Sequence, residues 1–518
     1  MTTKAPRRRR LRRLTSWLGA CLLLVVVGWV VLLVLAGSPT LGPQRDYLVA
    51  LNERVDGIAP DQQAWPALQD SVAGLECPSD RGFGDFLAEE LHALEAEEQD
   101  RWLEARAPTL ESIREALRRP HLGLPHSFQL PDPVDHPLLL SQNERAALDL
   151  VDPARSQPPA MAGGLLMELP VRHPSAFRAI AQLLEADAHA AIRTGAFTRA
   201  IDDCLALLDL ARLSSQDPML IAQLSGLALH GLAEDTILDL LGRVGEDLEL
   251  SALDRLAAAL DQTLPPVSFD GERMILEDIV QRVYSNDEEG NGVLMVSQAG
   301  GPFGAMNQGM PGMLGQANRP SGVGQLITQL FFQPLAVRFL GTRQDVLELH
   351  KAMASEALEL MESDPSSTDW TTLDALEASI TSSGGPFRQL HLFPLSIVAP
   401  AMDRIVLAYQ YRAFMHQLTR TVVALNQYRA IHGSWPAGLE ELEPELLERL
   451  PRDPFDGALV RYALRAGRPI LWSIGPDKVD QTGVFGDSQG RLSLRRVHRR
   501  VDQVDVQLWP LPEQPDGD

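Results

Sequence analysis

A chain of 518 residues is too long for one ordinary core, so two or three domains are expected, and a composition of 45% hydrophobic and 22% charged residues is globular. The net charge of −23 is unevenly placed: the first 36 residues carry Lys4, Arg7, Arg8, Arg9, Arg10, Arg12 and Arg13 and no carboxylate, a sum of +7 that leaves −30 on the rest. A body this acidic repels phosphates, which argues against nucleic-acid binding.

Residues 1–17 form a basic segment followed by an uncharged apolar run, Leu18–Ala36. Nineteen residues at about 1.5 Å each match a hydrocarbon core of about 30 Å, which predicts a transmembrane helix with a cytoplasmic N-terminus. The expected location is a bacterial inner membrane, with residues 37–518 outside the cytoplasm. A cleaved signal peptide is the rival, but its apolar core is usually about 7–15 residues. Of three cysteines, Cys21 lies in this run; Cys77 and Cys204 are left either to pair or to be buried as thiols.

Residues 37–118 read as a helical stalk region, with Phe86, Leu87, Leu91 and Leu94 at helical spacing. Residues 119–173 begin with five prolines by position 137 and read as linker and loop. His121, His126 and His136 fall there with Asp132 and Asp135; zinc enzymes usually mount ligands on rigid elements, so exposed loop histidines are expected. Residues 174–298 read as a helical domain. Ala188, Gly195, Phe197 and Ala200 are placed much as in a tetratricopeptide hairpin, without a convincing tandem copy. Asp287–Gly292 has the spacing of an EF-hand start, but Glu289 and Gln298 stand where its ligands should be, so a solvated turn is expected.

Residues 299–324 hold eight glycines, three prolines and three methionines and support neither helix nor strand, which predicts a flexible loop. Residues 325–400 resume helical patterning, including the apolar stretches Leu326–Leu340 and Leu392–Ala399. A long helix follows from about Ala401 to His432, striped by Tyr411, Met415, Leu418, Val422, Leu425 and Tyr428 and capped by Gly433.

After that helix come a Trp435-Pro436 corner, a short helix striped by Leu439, Leu442, Leu446 and Leu447, and the turn Asp453-Pro454-Phe455-Asp456-Gly457. Strands are expected at Val460–Leu464 and Ile470–Ile474 around Ala466-Gly467, leading to an acidic loop. This order resembles the C-terminal globular domain of the major pseudopilin of type II secretion systems, over residues 401–490 of a 401–510 module; residues 511–518 are a tail. The resemblance implies a small α+β fold and a calcium loop whose ligands would be Asp477, Asp480 and Asp487. Lys478 in place of a glycine and the shortened Thr482-Gly483 depart from the family pattern, favouring a structural acidic loop. No prepilin-peptidase signal precedes Leu18, so a polymerising fibre subunit is not expected.

The resulting fold class is mainly α: one N-terminal transmembrane helix, a weakly tetratricopeptide-like helical body and a small C-terminal α+β pseudopilin-like module. Gly486-Asp487-Ser488-Gln489-Gly490 matches a serine-protease motif only locally, since the preceding chain is helical. No convergent catalytic set or cofactor motif is apparent. The expected function is a non-enzymatic scaffold or assembly protein of the cell envelope, with partners in the membrane or secretion machinery. The alternative is a periplasmic hydrolase whose site residues are scattered in sequence.

Overall fold

The computed structural model describes residues 17, 23–31, 44–77, 82–128, 165–262, 264–286, 292–295, 341–367, 371–381, 385–398, 402–475, 477–483 and 505–510. The described helices are α1 (Tyr47–Asn52), α2 (Ala64–Ala73), α3 (Phe83–Glu90), α4 (Ala96–Glu104), α5 (Ala107–Leu117), α6 (His173–Arg193), α7 (Phe197–Ser214), α8 (Leu220–Val244), α9 (Leu250–Leu260), α10 (Asp270–Val283), α11 (Arg343–Glu362), α12 (Thr371–Thr381), α13 (Gly385–Val398) and α14 (Met402–His432). Strands β1 (Arg461–Arg465), β2 (Arg468–Ser473) and β3 (Val506–Trp509) complete the set.

The expected transmembrane helix requires a correction. Among the described residues no helix is long and apolar enough to cross a membrane. Within Leu18–Ala36 the structure describes residues 23–31, which are helical. The fold is mainly helical with one small sheet.

The chain forms two compact units. One comprises residues 1–45, 274–353 and 374–400. Within it the Tyr284 hydroxyl donates to the His391 carbonyl oxygen at 2.7 Å, and short bridges join Tyr284 to Leu294 and Val293 to Thr342. Leu392–Val398 lies in this unit and forms the last part of α13, with Pro394 inside the helix. Leu326–Leu340 and the 299–324 loop lie outside the described residues.

The other unit comprises residues 46–273, 354–373 and 401–518 and has two apolar cores. The first gathers Trp65, Phe83, Leu110, Phe177 and Leu207 from α2–α7. In the α6–α7 hairpin Gly195 turns the chain at φ +73°, and Ala188 and Ala200 are fully buried, as their small size suggested. Cys204 is buried and Cys77 partly buried, and among the described residues neither forms a disulfide.

The second core joins α7, α8, α9 and α14 to the C-terminal module: Ile237, Leu253, Leu418, Leu442, Phe455, Leu471 and Trp509 belong to it. α14 ends at Gly433, φ +75°. Arg429 then stacks over the Trp435 ring, 5.2 Å from its centroid, and Trp509 meets the same indole at 6.5 Å. The expected Leu-rich helix is only a 3₁₀ turn, Leu439–Leu442, because Pro444 follows and cannot extend a helical ladder.

Asp453 organises what comes next. Buried completely, it accepts from the Phe455 and Ile474 amides and the Ser473 hydroxyl at 2.9–3.0 Å, tying the Asp-Pro turn to β2. β1 and β2 form an antiparallel hairpin around Ala466-Gly467, both at positive φ, as a tight two-residue turn requires. These are the two expected strands, shifted by a residue or two. β3 adds antiparallel to β2, giving the order β1-β2-β3.

Candidate functional site

α8 is buried on most of its circumference, which makes its polar interior residues informative. His230 and Glu234 stand at i and i+4 and so share one face. On α14, Arg412 and His416 have the same spacing, and these two helices pack together. The two pairs meet. Nε2 of His230 lies 3.1 Å from Nδ1 of His416 and 3.2 Å from Oε1 of Glu234, and Nδ1 of His416 lies 3.4 Å from the same oxygen. Arg412 donates from Nη1 to the other Glu234 oxygen at 2.9 Å.

This close approach depends on Gly231. A Cβ there would stand 2.2 Å from Arg412 Nη1. The His416 Nε2 is 2.8 Å from the Leu260 carbonyl oxygen at the end of α9, so three helices fix the site. Burial pushes the Glu234 carboxyl up, but the imidazoles of His230 and His416 and the Arg412 guanidinium more than offset it and leave it below the usual value. Its Oε1 meets no donor in hydrogen-bond geometry. Side-chain exposures of 8% for His230, 0% for Glu234 and 12% for His416 make this a nearly closed site, unsuited to admitting a large substrate. Among the described residues these three are the group whose ligand atoms converge closely enough to hold a metal ion.

Two further buried polar clusters are structural in character. Arg114 on α5 donates to both Asp187 and Asp203, drawing α6 and α7 against α5. Burial and the neighbouring Asp187 charge push the Asp203 carboxyl well up, against the Arg114 guanidinium. The second cluster corrects the reading of the proline-rich loop. His121 is exposed and His136 lies outside the described residues, but His126 has a side chain only 7% exposed, with Nε2 3.0 Å from Asp217 Oδ2. His173 approaches the same oxygen at 3.5 Å. Asn52 explains the difference, bonding both the amide and the carbonyl of His126 and pulling this segment onto the body.

The acidic loop uses its carboxylates locally. Asp477 accepts from the Val479 amide and the Gln481 side chain, and Asp480 from the Thr482 amide. Asp505, buried beside β3, accepts from the Gln481 and Gly483 amides. Lys478 and Thr482 both take positive φ. Asp487, the third calcium ligand implied by the resemblance, lies outside the described residues, as do 287–291 and the 486–490 motif.

An open cleft of about 630 Å³ lies between Glu362–Pro365, α14 and the module, with Gln410, Phe414 and Gln417 on one side and Glu440, Arg449 and Pro454 on the other. Its lining does not include Arg412 or His416, which occupy a different face of α14. Comparisons with models of protein families, with curated proteins and with solved structures give no match to this chain.

Proposed function

We propose that this chain is a non-enzymatic scaffold or assembly protein whose C-terminal module, resembling the pseudopilin globular domain, is held in cis on the helical body. The carrying observation is the continuous second core, in which Leu442, Phe455, Leu471 and Trp509 of the module pack with Ile237, Leu253 and Leu418 of the helices. The Trp509 indole also donates to the Leu238 carbonyl of α8 at 3.2 Å. A pseudopilin-type face used in this way is consumed within the chain and is not available for fibre assembly. The docking surface is formed by α7–α9 and α14. Partner binding then falls to surfaces outside that core, and the 630 Å³ cleft, with both carboxylates and guanidinium groups in its lining, suits a polar protein segment.

Deleting residues 434–518 from the full chain tests this reading. It should lower the melting temperature of the helical body and abolish co-isolation of protein partners, and a deletion that leaves both unchanged defeats it. Turnover of ester or phosphate substrates by the purified chain, lost in Glu234→Gln, would establish a hydrolase instead.

A further inference from the structure

We propose that His230, Glu234 and His416 bind one first-row divalent cation, with Zn²⁺ the ion the donor set fits best. Independently of the scaffold reading, this rests on three observations. The first is spacing: the three ligand atoms stand 3.1, 3.2 and 3.4 Å apart. Ligand atoms about 2.0–2.1 Å from a tetrahedral Zn²⁺ are about 3.3 Å from one another, so the helices already hold the required separation. Two imidazoles and one carboxylate suit Zn²⁺ and its neighbours, whereas Ca²⁺ and Mg²⁺ require fuller oxygen shells.

The second observation is the proton arrangement. A neutral His416, donating from Nε2 to the Leu260 carbonyl at 2.8 Å, keeps its lone pair on Nδ1. Glu234 Oε1 is also only an acceptor. These two acceptors face each other at 3.4 Å, and the carboxylate oxygen, on a side chain with 0% exposure, has no hydrogen-bond partner. A proton on His230 Nε2 serves His416 at 3.1 Å and leaves Oε1 unsatisfied; a cation at the centre satisfies all three atoms.

The third observation is the support around the ligands. Arg412 grips the outer oxygen of Glu234 and orients the inner one, while Leu260 orients His416. The guanidinium charge opposes a second cation, but it lies on the carboxylate oxygen away from the converging atoms. Three protein ligands leave a fourth position for water, and the slight exposure of both histidines gives an ion access. The ion would fasten α8 to α14 at positions 186 residues apart in the chain.

The test uses the untagged full chain, stripped with a chelator and then equilibrated with Zn²⁺, Co²⁺, Mg²⁺ or Ca²⁺. One Zn²⁺ per chain, a melting temperature raised by several degrees and tetrahedral Co²⁺ absorption in the visible are expected, with neither Mg²⁺ nor Ca²⁺ raising the melting temperature. His416→Ala should weaken Zn²⁺ binding by more than about 100-fold, because losing an outer partner alone costs about 10–100-fold. Glu234→Gln, which keeps the volume and an acceptor for Arg412, should also weaken it and replaces the alanine variant if that fails to fold. A folded native chain that takes up no Zn²⁺, or a folded variant of either kind that binds it as tightly, overturns the proposal.

Discussion

Glu272 shows how one buried residue sets the response to pH. One oxygen accepts the Leu220 amide at 2.9 Å and the other has no partner. Burial pushes this carboxyl up to about 7, the nearby Asp217 charge adds to the shift, and backbone amides oppose it. A folded value above the unfolded one means the native state holds the proton more tightly. That contribution is complete below about pH 4.5 and is lost as pH rises toward 7. Glu272→Gln should therefore leave stability at pH 4 little changed and raise it at pH 8, by up to roughly 3 kcal/mol in urea titrations. His173 acts in the opposite sense. Burial, aided by His126 and opposed by Asp217, lowers it to about 4, so its contribution is present above pH 6.5 and lost as pH falls toward 4.

The two module tryptophans differ at this same scale. Trp509 is 4% exposed and hydrogen-bonded to α8, whereas Trp435 is only partly buried. Trp509→Ala should cost about 3–5 kcal/mol in denaturant unfolding and Trp435→Ala distinctly less. Equal costs would show that the corner, not the shared core, holds the module. From sequence Trp435 was the residue that stood out, because its Pro436 neighbour marks a turn; burial of Trp509 depends on contacts made after distant segments fold together.

At the scale of elements, the crossing of α8 and α14 is set by Gly231. Gly231→Ala places a methyl 2.2 Å from Arg412 Nη1 and should displace the guanidinium from Glu234. The gain in helix propensity is at most about 1 kcal/mol. Overpacking costs about 1–3 kcal/mol, and the carboxylate would lose its buried partner, so net destabilisation is expected in urea unfolding. A more stable alanine variant would show that the Arg412–Glu234 pair contributes little.

The helices themselves were legible in sequence wherever apolar residues kept a 3.6-residue period, as in α6–α9 and α14. The hairpin β1–β2 was legible from Ala466-Gly467 flanked by β-forming residues. The short helix after Trp435 failed at Pro444, a local signal outweighed by the leucine spacing. The nineteen-residue apolar run met the length criterion for a span, whereas among the described residues no helix is long and apolar enough to cross a membrane. The His230–Glu234–His416 site was not legible. Its i, i+4 pairs lie on separate helices, and Arg412 and His416 sit one step off the apolar stripe that drew attention to α14. The available clue was the presence of ionisable residues inside nearly all-buried α8.

At the scale of the whole molecule, the C-terminal module and the helices it packs against are expected to be one cooperative structure. Their shared core predicts that neither opens alone, since opening the module would expose Leu442, Phe455, Leu471 and Trp509 together with Ile237 and Leu418. Amide hydrogen exchange across a denaturant series, comparing peptides from β2 with peptides from α8, measures this directly. Equal opening free energies with the same denaturant dependence are expected. Exchange of β2 through a separate, lower-energy opening, with α8 still fully protected, would contradict the account.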